Sequence, residues 1–152
     1  MFHAPAAHTD GDSLVFFRRS DVIATGDLFY TEHYPVIDTS RGGSLQGIID
    51  GLNKVIDLAI PAYSEEGGTM VVLGHGRICD EIDVVEYRDM LTIIRDRIIA
   101  MIRKGKTLEQ IKAARPTMDH DPLYGAAPGA TTGAWTTDMF VEAAYRSLNA
   151  RK

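Results

Sequence analysis

Two short apolar runs in the first thirty residues, each beside a polar turn that carries glycine, constrain this chain most. Ser13-Leu14-Val15-Phe16-Phe17 follows the turn Pro5-Ala6-Ala7-His8-Thr9-Asp10-Gly11-Asp12. Val22-Ile23-Ala24 leads into Thr25-Gly26-Asp27-Leu28-Phe29. Arg18-Arg19-Ser20-Asp21 between them reads as a hairpin connection. Strands are therefore expected over 13–18 and 21–25, with His8 at the entry of one and Asp27 at the exit of the other. A third run, Met70-Val71-Val72-Leu73, reads as a buried strand that Gly74-His75-Gly76 leaves. Three side chains of metal-ligating type thus fall at strand ends, where loops carry chemistry on a rigid sheet.

The rest of the chain reads mainly as helix. Residues 1–9 and 31–39 read as irregular, and Leu28-Phe29-Tyr30 as an apolar anchor after Asp27. Gly42-Gly43-Ser44 opens a helix whose apolar stripe is Leu45, Ile48, Ile49, Leu52, Val55, Ile56 and Ala59; Pro61 closes it. A long helix is expected from about 83 to 104. Acidic residues lie at its start and Arg103-Lys104 at its end, as the helix dipole favours. Thr107-Leu108-Glu109-Gln110 is a capping box for a short helix ending near Ala114. A Gly/Pro/Ala-rich loop over 117–133 precedes a last helix at about 137–148. The order of elements predicts an α/β layered domain, with helices covering one face of a small mixed sheet. Residues 1–76 would hold the strands and one helix, and 77–152 the helical region.

At 152 residues a single domain with a real core is the natural reading. The net charge of -5 argues against non-specific nucleic-acid binding, which needs basic surface. No apolar stretch approaches the ~20 residues of a membrane-spanning helix. Met1-Phe2-His3-Ala4-Pro5 shows no leader, so the chain as encoded reads as cytoplasmic. The one cysteine, Cys79, excludes an intrachain disulfide and reads as a small buried hydrophobe.

His8-Thr9-Asp10-Gly11-Asp12-Ser13, then Thr25-Gly26-Asp27, then Gly74-His75-Gly76 resemble the later metal-binding motifs of the metallo-β-lactamase superfamily of hydrolases. The pattern is most similar to the branch that holds the glyoxalase II-like and quinoprotein-associated zinc hydrolases. The family's His-x-His-x-Asp-His motif is absent, so the resemblance is to the C-terminal half of that αββα sandwich. It implies zinc, one or two ions. His8 would complete one site, Asp27 would bridge, and His75 would belong to the second. Each ion would then have two protein ligands from this chain, too few for a tight centre. The implied activity is hydrolysis of an ester, thioester, lactone or lactam, incomplete in the isolated chain. The competing reading is a non-catalytic split module that acts by assembly.

A half-sandwich would leave the far face of its sheet apolar and uncovered. This predicts a homodimer, or pairing with a partner that supplies the missing half. Asp10 and Asp12 are expected to hydrogen-bond turn amides, with support of His8 as a second role. His3 and His33 read as surface histidines and His120 as a loop residue. Trp135 reads as an anchor of the last helix. Gly42-Gly43 reads as a flexible helix entry rather than an anion site, and Arg18-Arg19 as a solvated turn.

Overall fold

A computed structural model describes residues 1–64, 67–125 and 135–150. The elements run β1 (Phe2–Ala4), β2 (Asp12–Phe17), β3 (Val22–Tyr30), a 3-10 turn (Thr39–Arg41), α1 (Leu45–Leu58), β4 (Met70–His75), α2 (Glu81–Arg103), α3 (Leu108–Ala113), α4 (Asp121–Tyr124) and α5 (Thr137–Asn149). The fold class is the expected α/β, with one four-stranded mixed sheet in the order β1-β2-β3-β4.

β1, β2 and β3 run antiparallel in sequence, and β4 joins β3 in parallel. Parallel neighbours cannot be joined by a tight turn, so the chain crosses between β3 and β4 through α1. β1 corrects the expectation of a loop over residues 1–9. It is only three residues long, too short for its alternation to register in the sequence. Its pairing of Phe2 with Leu14 and Ala4 with Asp12 defines it.

The period of two divides the sheet into unlike faces. Phe16, Ile23 and Val71 are in register on one face, where Ile23 and Val71 are fully buried. That face joins a single core with Ile48, Leu52 and Val55 of α1 and Leu91, Ile94 and Ile98 of α2. Leu28 of β3 meets α1 at Gly51, where any added Cβ would collide with the leucine side chain. On the other face two rows lie in register. They are Val15, Ala24 and Val72, then Phe17, Val22 and Met70. Phe17, Met70 and Val72 are exposed. Among the described residues, no helix covers this face.

Helix ends follow the capping chemistry in the sequence. Ser44 accepts from the Gly47 amide at 3.0 Å to start α1. α2 begins at Glu81, earlier than the apolar stripe alone suggests, because Asp80 and Asp83 form a reciprocal capping box. Thr107 and Gln110 form the expected box of α3. The segment expected as a loop from 117 contains α4, with His120 at its N-cap position; residues 126–133 of that expectation lie outside the described residues. α5 packs by Phe140, whose ring stacks on Tyr34 at 4.7 Å and 5°. Cys79 is buried, as expected. It bridges Val71 through two backbone hydrogen bonds, and burial pushes its thiol up to about 11. No described helix is long and apolar enough to cross a membrane.

Candidate metal half-site

The turn that carries His8 is fixed by backbone rather than by side-chain packing. The Asp38 amide donates to the His8 carbonyl at 2.9 Å, and the Asp10 amide donates to the Arg41 carbonyl at 2.9 Å. Ser44 donates to the Ala6 carbonyl through both its amide and its hydroxyl, each at 2.9 Å. Gly43 and Gly47 permit this close approach. A Cβ on Gly43 would overlap the His8 carbonyl, and one on Gly47 would overlap the Ala6 carbonyl. The Gly42-Gly43 pair is thus more than the flexible helix entry expected. Gly42 takes φ of 83°, and Gly43 is the surface on which the His8 turn rests.

His8 itself is half-buried, with Nδ1 2.8 Å from the Val36 carbonyl. A carbonyl only accepts, so Nδ1 carries a proton, and in the neutral ring the lone pair is then on Nε2. That is the tautomer a ligating histidine needs. Asp10 and Asp12 bond turn amides, as expected of them. Asp12 accepts from the Thr9 amide at 2.5 Å, and Asp10 accepts from the Ala6 amide at 3.2 Å. His3 is exposed, with Nε2 2.6 Å from the Asp10 carbonyl oxygen.

Asp27 and His75 meet across the β3–β4 pair. β3 does not end at Ala24 or Thr25, as the turn residues suggested; it continues to Tyr30, and Asp27 lies inside it. Likewise β4 includes Gly74 and His75 rather than ending before them. The cause is a break in register. Ala24 pairs with Val72, but Gly26 pairs with Leu73 and Tyr30 with His75. Gly26 accommodates the first irregularity at φ of 55°. A bulge of this kind re-aims the next side chain.

The Asp27 carboxylate reaches Gly74, where a Cβ would sit 2.7 Å from Oδ1. Asp27 Oδ1 is 3.8 Å from His75 Nε2, with both side chains substantially exposed. Tyr30 backs the pair. Its ring lies parallel to that of His75 at 6.4 Å, and His33 covers it at 4.4 Å. Burial first, then the nearby Asp27 carboxylate, raises the Tyr30 phenol above its ordinary range. His33 is half-buried, with Nδ1 2.7 Å from the Tyr34 carbonyl, so it is tied to this cluster rather than loose on the surface. Sequence reasoning read Tyr30 as part of an apolar anchor, His33 as a surface histidine and Gly74 as a motif glycine leaving β4, and gave none of them the place around Asp27 and His75 seen here. The pairing of Tyr30 with His75 depends on the register break, which no periodicity shows.

The chemistry of the donor set fits a metal in kind but not in number. Imidazole and carboxylate are apt ligands for zinc. Among the described residues, however, no three His, Cys, Asp or Glu side chains converge on one point. Asp27 and His75 form a pair, and His8 is held separately, with no hydrogen bond to its Nε2 among the described residues. His120 lies at the start of α4 and joins no such group. Two donors cannot close a tetrahedral site.

A small polar pocket of about 120 Å³ shares Tyr30 with this cluster and is lined also by Phe29, Thr31, Arg77, Asp83, Glu86 and Tyr124. Arg77 reaches Asp83 through two hydrogen bonds, at 2.5 and 2.9 Å. The guanidinium holds the Asp83 carboxyl below its usual range. A carboxyl depressed on folding stabilises the fold above its unfolded pKa, near 4. That contribution disappears as pH falls through the lower folded value. Asp83→Asn is expected to flatten the acid side of the stability curve, read as urea midpoints between about pH 6 and pH 3.

No protein-family model matches the chain, and no curated protein matches it. Solved structures do. A double mutant of the sec-alkyl sulfatase PisA1 superposes with a TM-score of 0.60 at 13% identity, over 94% of this chain and 23% of that one. The stereoselective inverting sec-alkylsulfatase Pisa1 from Pseudomonas sp. gives 0.57 at 16% identity over the same shares. The chain therefore spans less than a quarter of either protein it resembles. Identities this low speak to architecture alone: the four-stranded mixed sheet with its helices is part of a metallo-β-lactamase-type fold.

Proposed function

We propose that this chain is the metal-binding C-terminal half of a hydrolase of the metallo-β-lactamase fold, and that Asp27, His75 and His8 are its contribution to the metal centre. The observation that carries this reading is the Asp27–His75 pair at 3.8 Å, built by a bulge and a glycine on adjacent parallel strands of that fold. When bound, zinc supplies an acidified water and polarises the scissile group. The residues here supply orientation. Val36 sets the His8 tautomer, Gly74 lets Asp27 lie flat over β4, and Tyr30 backs His75.

Candidate substrates are an ester, thioester, lactone or lactam. The likeness to a sec-alkyl sulfatase adds sulfate esters to that set. Two donors argue that a complementing half supplies the remaining ligands. The test is hydrolysis of one representative of each class with zinc present, comparing the wild type with His75→Ala. Low turnover that depends on His75 is expected. Absence of any His75-dependent turnover, together with zinc uptake that ignores His75, would retire this reading in favour of a purely assembling module.

A further inference from the structure

The donor count at the Asp27–His75 pair has a consequence for the isolated chain. Asp27 Oδ1 and His75 Nε2 stand 3.8 Å apart. Two ligands of a tetrahedral zinc ion, each bonded at about 2.0–2.1 Å, stand about 3.4 Å apart. The pair is therefore about 0.4 Å wider than a zinc bite, a gap that small side-chain rotations close. Among the described residues no third His, Cys, Asp or Glu converges with them. Two corners of the tetrahedron are left for donors from elsewhere.

Those corners are accessible. The His75 side chain is 77% exposed and that of Asp27 43%. His75 stands between Gly74 and Gly76, so no side chain on its own turn shields it. A second copy of the chain brings the same pair with the same bite. Two copies related by a two-fold axis through the ion complete a shell of two imidazoles and two carboxylates, both ligand types apt for zinc. The charge also closes. One Asp27 leaves a divalent ion with net positive charge, whereas two neutralise it. Without the ion, the same approach sets carboxylate against carboxylate, which is repulsive.

We infer that one zinc ion joins two copies of this chain through Asp27 and His75 of each. The inference rests on reading these two residues as metal donors and uses none of the hydrolytic chemistry. Dimerisation by this route requires metal. A shell filled by four protein ligands keeps no position for water, so the bridged dimer is a closed, non-catalytic form. In it the second copy occupies the corners that a complementing half would otherwise fill.

Sedimentation equilibrium of the full chain at about 100 µM, in EDTA and in zinc chloride, is the test. The expected result is a monomer of 16.7 kDa in EDTA and twice that mass in zinc. Bound zinc should approach about one ion per two chains. His75→Ala and Asp27→Asn should both stay monomeric in zinc. Both change exposed side chains, so their circular dichroism should stay native. A monomer that binds one zinc per chain, and loses it in both variants, would overturn the bridge and leave the half-site standing. Zinc uptake absent from the wild type, or untouched by either variant, would overturn the bridge and the half-site together. A dimer that persists in EDTA would place the association elsewhere and overturn the bridge.

Discussion

Gly47→Ala is expected to destabilise the protein by about 2–3 kcal/mol, measured as a shift of the urea midpoint, although alanine is the better helix former. In an open helix this exchange would stabilise by up to about 1 kcal/mol. Here the added methyl would overlap the Ala6 carbonyl, a backbone atom that cannot rotate away. Relief requires α1 to back off the first turn of the chain, and overpacking of this kind costs about 1–3 kcal/mol beyond the lost propensity gain. Moving α1 also breaks the two Ser44 bonds to Ala6, and with them the seat of the His8 turn. The sign alone is diagnostic. A stabilised Gly47→Ala protein would mean that α1 does not lie against residues 5–8.

Phe140→Ala is expected to cost about 3–5 kcal/mol, the range for emptying a fully buried aromatic site. Phe140 is fully buried and stacks on Tyr34. Tyr34 donates its hydroxyl to Asp121 Oδ1 at 3.0 Å, with the Thr117 carbonyl 3.2 Å away, tying β3's exit to α4. Burial and the Asp121 carboxylate together raise the Tyr34 phenol above its ordinary range, so it stays a neutral donor at all working pH. The segment after Tyr34 carries Val36, whose carbonyl orients His8. Loss of the α5 anchor should therefore appear twice, as a lower melting midpoint and as faster amide exchange at 36–38. A large stability loss with unchanged exchange there would separate α5 from the support of His8.

The helices were legible because their signals are local. Ser44 and Thr107–Gln110 each mark a helix start within four residues, whereas the Asp80–Asp83 box, which starts α2 at Glu81, was read only as acidic residues favoured by the helix dipole. The apolar stripes of α1, α2 and α5 agree with the buried residues that the fold shows. The centres of β2, β3 and β4 were legible for the same reason, as dense apolar runs between turn residues. Their ends were not. Gly26 reads as a terminator, yet here it is a bulge within a strand, and only the β4 partner reveals this. Pairing over about fifty residues leaves no local trace. For the same reason the sequence could nominate Asp27 and His75 separately but could not show Tyr30 behind them, nor Gly74 beneath Asp27. His8 was legible as a turn residue of ligating type. Its tautomer depends on Val36, 28 residues away, and became visible only in the fold.

The most direct measurement is zinc titration of the isolated chain by calorimetry, beside His75→Ala and Asp27→Asn. A half-site of two oriented donors should take up zinc weakly, with Kd on the order of tens of micromolar, far from the affinity of a four-ligand structural site. Both variants should lose that binding while keeping native circular dichroism. Uptake unchanged in both variants would place any metal elsewhere and contradict the half-site.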